Sequence, residues 1–62
     1  MKRKIVSVTE CKYDGYYVAR IKEGSKDRTI CYEGRGLLPQ DVKDSIDRNG
    51  ASVYEGFYHS LI

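Results

Sequence analysis

Tryptophan is absent from this 62-residue chain, proline and histidine occur once each, and cysteine occurs twice. Cys11 and Cys31 are too few to form the disulfide framework of a secreted mini-protein. A structural zinc site takes four ligands, usually Cys and His in close pairs. Cys11, Cys31 and His59 are too few and too scattered for that, so no metal site is expected. Long apolar runs are also missing. After Lys2, Arg3 and Lys4, the stretch from Ile5 to Val8 is too short for a signal-peptide core, and nothing approaches a membrane span. The expected setting is the reducing cytoplasm, with no membrane association and with both thiols acting as small buried hydrophobes.

Catalytic signatures are lacking as well. Cys11 or Cys31 with His59 would be a minimal nucleophilic dyad, but no loop resembles an oxyanion hole. Gly34-Arg35-Gly36 lacks the Lys and Ser/Thr of a phosphate loop. Asp41, Asp44 and Asp47 recur every three residues and read as the solvated face of an amphipathic helix. The chain is therefore read as non-enzymatic and without a cofactor.

The composition sets a tight limit on the core. Three Leu, five Ile, five Val and one Phe must serve a single small domain spanning residues 1–62. A chain of this size buries only ~60% of the surface it exposes when unfolded. Six Tyr residues are expected to help, with their rings at the edge of the core and their hydroxyls in water. Charge is dense but nearly balanced, with eleven Lys/Arg against nine Asp/Glu. Residues 1–36 hold nine Lys/Arg against five Asp/Glu, a net of +4. Residues 37–62 hold two against four, a net of −2. Any basic surface belongs to the N-terminal strands.

Residues 4–12 are rich in β-branched types and predict a strand. Tyr13-Asp14-Gly15 supplies turn chemistry. Residues 16–22 predict a second strand, with Tyr17, Ala19 and Ile21 on one face and Tyr16, Val18, Arg20 and Lys22 on the other. A polar loop over residues 23–27 leads to a third strand at 28–33. Leu38, Val42 and Ile46 form one apolar stripe of a helix that starts at Pro39 and stops at Asn49-Gly50. Residues 51–59 predict a fourth strand, with a short second helix as the alternative. Leu61-Ile62 is expected to dock in the core or at a dimer contact. Tyr13-Asp14-Gly15, Tyr32-Glu33-Gly34 and Tyr54-Glu55-Gly56 read as strand ends closed by aromatic-acid-Gly turns. The fold class is α+β: a small antiparallel sheet, β-β-β-α-β, with one helix packed on one face.

One helix shields only one side of a sheet. If Tyr17, Ala19 and Ile21 face it, the other side is free. Tyr16, Arg20 and Lys22 would lie there, joined by Arg28 and Tyr32 from the third strand if its register allows. Tyr and Arg are common interface anchors, so these five residues are the expected partner-binding site. A mixture of cations and aromatic rings also suits stacking on single-stranded bases.

The run Gly15-Tyr16-Tyr17-Val18-Ala19-Arg20, with a polar turn, a strand and a helix from Pro39, resembles the arm-binding domain of phage tyrosine integrases. That resemblance covers residues 15–48 and implies three antiparallel strands and a helix, with the sheet in a DNA groove. Val6-Ser7, Tyr13-Asp14, Pro39, Val42, Ile46 and Gly56-Phe57-Tyr58 are similar to the pattern of KTSC domains, small modules of phages and bacteria. This second resemblance implies a nucleic-acid role. Both resemblances imply a phage- or mobile-element-type protein.

The first functional expectation is an accessory or regulatory module that binds a protein partner through the Tyr/Arg face. The alternative is a nucleic-acid-binding module, with Lys2, Arg3, Lys4, Arg20, Lys22, Lys26 and Arg28 on phosphates and Tyr16 or Tyr32 stacked on bases. A homodimer with a mainly structural role is the third.

Overall fold

The computed structural model describes residues 3–61. Strands β1 (Lys4–Cys11), β2 (Tyr17–Glu23) and β3 (Lys26–Tyr32) form an antiparallel meander. Helix α1 (Gln40–Asn49) follows, then the short strand β4 (Ser52–Tyr54) and a single helical turn, α2 (Tyr58–Leu61). The sheet order is β3-β2-β1-β4, and β4 runs parallel to β1. The domain is thus α+β, with a sheet that is antiparallel over three strands and parallel at the fourth. The parallel pairing follows from the connection. The chain leaves β3 at one edge, crosses the sheet through α1, and re-enters beside β1 in the same direction. A crossover of this kind is what parallel pairing needs.

Local chemistry accounts for the boundaries. The β2–β3 turn is tighter than the polar run suggests, with only Gly24-Ser25 between the paired residues Glu23 and Lys26. Gly24 takes φ 63°, as the first central residue of a type II′ hairpin turn requires. Pro39 caps α1 from an extended conformation, one residue ahead of the first helical position. Gly50, at φ 78°, donates its N–H to the Ile46 carbonyl and closes the helix. Residues 51–61 hold both predicted alternatives in succession, a strand and then a turn of helix.

The main core lies between the sheet and α1. Val8, Tyr17, Ala19, Ile21, Leu38 and Val42 are buried there, with Ile5, Ile30, Tyr32, Ile46 and Ala51 packed around them. The expected helical stripe is present, since Leu38 and Val42 are buried and Ile46 is half-buried. Val42 is fully enclosed, and burial of a side chain of this size contributes roughly 1.5–3 kcal/mol. Arg3 and Asp41 add a two-pronged clasp between the start of β1 and the first turn of α1. Arg3 Nε donates to Asp41 Oδ2 at 2.7 Å, and Nη2 donates to Oδ1 at 3.1 Å. Leu61 is exposed rather than docked in the core, and Ile62 lies outside the described residues.

Candidate functional site

The outer side of the sheet, opposite α1, divides into two halves. Residues paired across neighbouring strands point to the same side, so the register defines its rows. Lys4, Lys22 and Asp27 form the first row, and Ser7, Arg20 and Thr29 the second. Thr9, Val18 and Cys31 form the third, with Ser52 beyond Thr9. Cys11 and Tyr54 stand side by side in the next. The first two rows are exposed and largely cationic; in the last two, Val18 and Cys11 are buried, Thr9, Cys31 and Tyr54 are half-buried, and Ser52 at the edge is exposed.

The cover is the segment after β4. Cys11 and Val18 are buried and Cys31 is half-buried, although all three point away from α1. The Tyr58 ring stacks on Tyr16, centroids 5.4 Å apart. Asp14 fixes this arrangement: Oδ2 accepts the Tyr58 N–H at 2.8 Å and Oδ1 the Tyr16 N–H at 3.2 Å. One carboxylate thereby ties the β1–β2 turn to the start of α2. The Tyr58 phenol is held above its ordinary value, first by the hydrogen-bonding Cys31 side chain, then by burial. Burial, followed by the nearby Asp14 charge, pushes the Cys11 thiol up. A shift in this direction favours the protonated thiol over the thiolate.

A chain of aromatic rings continues onto the exposed end of the molecule. Tyr13 meets Phe57 edge to face at 5.4 Å, and His59 stacks on Phe57 at 5.6 Å. Tyr13 is 61% exposed and Phe57 46%.

The structure separates the five residues predicted to bind a partner. Arg20 and Lys22 lie together on the open half of the outer side. Tyr16 is half-buried against Tyr58. Arg28 and Tyr32 lie on the α1 side, because they pair with Ile21 and Tyr17. Arg28 there holds Glu23 at 3.0 Å, and Tyr32 packs against the core. The two-residue turn decides this outcome. With Gly24-Ser25 as the whole loop, Arg28, Ile30 and Tyr32 fall opposite the helix-facing residues of β2. A register one residue different would have sent them outward.

Lys4 takes their place in the open patch. A bulge at Val6 shifts the β1–β2 register between Ile5 and Ser7. Ile5 thereby reaches the α1 side opposite Ile21, and Lys4 arrives directly opposite Lys22. Without this extra residue the side chains before it would exchange faces. Among the described residues, none of Lys4, Arg20 and Lys22 forms an ion pair. A shallow depression beside them is lined by Val6, Arg20, Lys22 and Asp27, and also by Ile21 and Arg28 from the α1-facing rows, so it belongs to this end of the sheet rather than to the outer side alone.

Among the described residues, no group of three or more His, Cys, Asp or Glu is placed to hold a metal ion. Likewise, no described helix is long and apolar enough to cross a membrane. No family model, curated protein or solved structure matches the chain.

Proposed function

We propose that this chain is a small non-enzymatic binding module that acts by protein–protein contact through the open half of its outer sheet side. The observation that carries this reading is the direct opposition of Lys4 and Lys22, with Arg20 in the next row, Asp27 the one acid in line with them, and no ion pair to any of the three among the described residues. Like charges placed opposite each other on a sheet destabilise it by roughly 0.2–1 kcal/mol. A partner presenting carboxylates would relieve that repulsion on binding. At the far end of the sheet, the exposed Tyr13 and Phe57 rings are of the anchor types that interfaces favour. In this reading the chain is an accessory or regulatory protein of the phage or mobile-element kind that its two resemblances imply, working in the cytoplasm.

Nucleic-acid binding is the second reading, favoured by the same exposed cations and by the exposed Tyr13 and Phe57 rings. Salt separates the two. Binding to phosphates must weaken steeply as salt rises. The test is retention of partners from a cytosolic extract at physiological salt, beside a gel shift with single- and double-stranded DNA and RNA. The protein-contact reading expects a retained protein, and its loss with Arg20→Glu plus Lys22→Glu. A salt-sensitive gel shift with no retained protein would transfer the function to nucleic acid.

A further inference from the structure

Strand β3 is an open edge of the sheet, and its sequence fits a second copy of itself. It pairs with β2 without a bulge from Tyr32 to Lys26, and it contains no proline. The opposite edge, β4, is only three residues long. Long regular edges invite strand addition, whereas short ones resist it. The two-residue turn fixes which backbone groups are free. Residues flanking such a turn exchange both of their backbone hydrogen bonds, and the pattern then alternates along the pair. Lys26, Arg28, Ile30 and Tyr32 therefore bond to β2, while the N–H and C=O of Asp27, Thr29 and Cys31 point outward.

These three outward residues are symmetric about Thr29, the midpoint of the strand. We propose that two copies of the chain join antiparallel along β3, centred on Thr29, to make one continuous eight-stranded sheet with both helices on the same side. Twofold symmetry places Thr29 against its own copy, Asp27 against Cys31, Arg28 against Ile30 and Lys26 against Tyr32. The seam uses the whole of β3 and forms six backbone hydrogen bonds. Each charge meets a neutral side chain. Neighbouring symmetric registers do worse: centring on Arg28 opposes arginine to arginine, centring on Asp27 opposes aspartate to aspartate, and centring on Ile30 sets Asp27 against Glu33. The charges that would ordinarily protect an edge here act to select one register. In that register the two Arg28 side chains are diagonal neighbours, and each already holds Glu23 at 3.0 Å.

Sedimentation of the full chain from roughly 10 to roughly 500 µM tests this, since that range brackets the affinity of small seams. The wild-type mass should rise from 7.1 kDa toward twice that value. Thr29→Pro removes one outward N–H that has no partner within a single copy, and edge strands tolerate proline at such sites. Thr29→Lys leaves the backbone intact and opposes two ammonium groups at the centre. Either variant should remain at 7.1 kDa across the range while keeping the wild-type circular dichroism. Should Thr29→Pro fail to fold, Thr29→Lys decides alone. A wild-type protein that stays at 7.1 kDa throughout, or a dimer that survives Thr29→Lys, overturns the proposal.

Discussion

Lys4 and Lys22 face each other across β1 and β2 on the side of the sheet that α1 does not cover. Two ammonium groups in adjacent positions need water, an anion or a partner to offset their repulsion. Removing one should therefore stabilise the free protein slightly. Lys4→Gln, which leaves Lys22 opposite Asp27, is expected to raise thermal stability by a few tenths of a kcal/mol, within the roughly 0.2–1 kcal/mol range of cross-strand pairs. The same change should weaken partner binding. Thermal melts of both proteins at low and high salt check this, and added salt should shrink the difference.

Arg3 and Asp41 give the fold an acid-sensitive clasp. The Arg3 guanidinium holds the Asp41 carboxyl below the usual carboxylate range, chiefly through their hydrogen bonds. The folded pKa is therefore lower than the unfolded value of about 3.9. The clasp's contribution is complete above that unfolded value and fades as pH falls through the folded one. Both side chains are partly exposed, so the contribution is about 1 kcal/mol or less. Asp41→Asn should cost that amount at pH 7 and flatten the acid limb of a stability–pH curve. An unchanged acid limb would show that the clasp contributes nothing.

Asp14 holds the covering segment in place through two N–H groups. Asp14→Ala should loosen residues 57–61 without unfolding the main core. Loss of charge-assisted hydrogen bonds of this kind, about 1.5–3 kcal/mol each, should speed thiol labelling of Cys11 and Cys31 by roughly tenfold or more. Labelling kinetics beside a thermal melt separate local release from global unfolding.

Gly56 lies against the Tyr54 ring. A Cβ added there would sit 2.8 Å from the Tyr54 Cε2 atom. Gly56→Ala should therefore cost about 1–3 kcal/mol, the usual range for overpacking. Tyr54→Ala removes the obstacle, so the double variant should lose less than the two single costs added together. Denaturant melts of the four proteins measure the coupling.

How much was legible in the sequence follows from periodicity and its interruptions. Alternation within one strand needs no partner, so it puts Tyr17, Ala19 and Ile21 on one shared side; that this side meets α1 is seen only in the packed core. The stripe of Leu38, Val42 and Ile46, ended by Gly50, was equally plain. Register between strands was not. It depended on the two-residue turn at Gly24-Ser25, which carried Arg28 and Tyr32 to the α1 side, and on the Val6 bulge, which brought Lys4 to the patch. The parallel entry of β4 was hidden because three residues carry almost no directional signal. The cover over Cys11 and Cys31 rests on a contact between Asp14 and Tyr58, far apart in the chain, which no local pattern announces.

The central claim is that the Lys4–Arg20–Lys22 patch is the contact surface for a protein. The most direct measurement is backbone amide NMR of the labelled chain, titrated with a protein retained from extract. Shift changes are expected to concentrate at Lys4, Ser7, Arg20, Lys22 and Thr29, and to be lost with Arg20→Glu plus Lys22→Glu. Changes confined to the α1 surface, or binding of equal strength by the double variant, would contradict it.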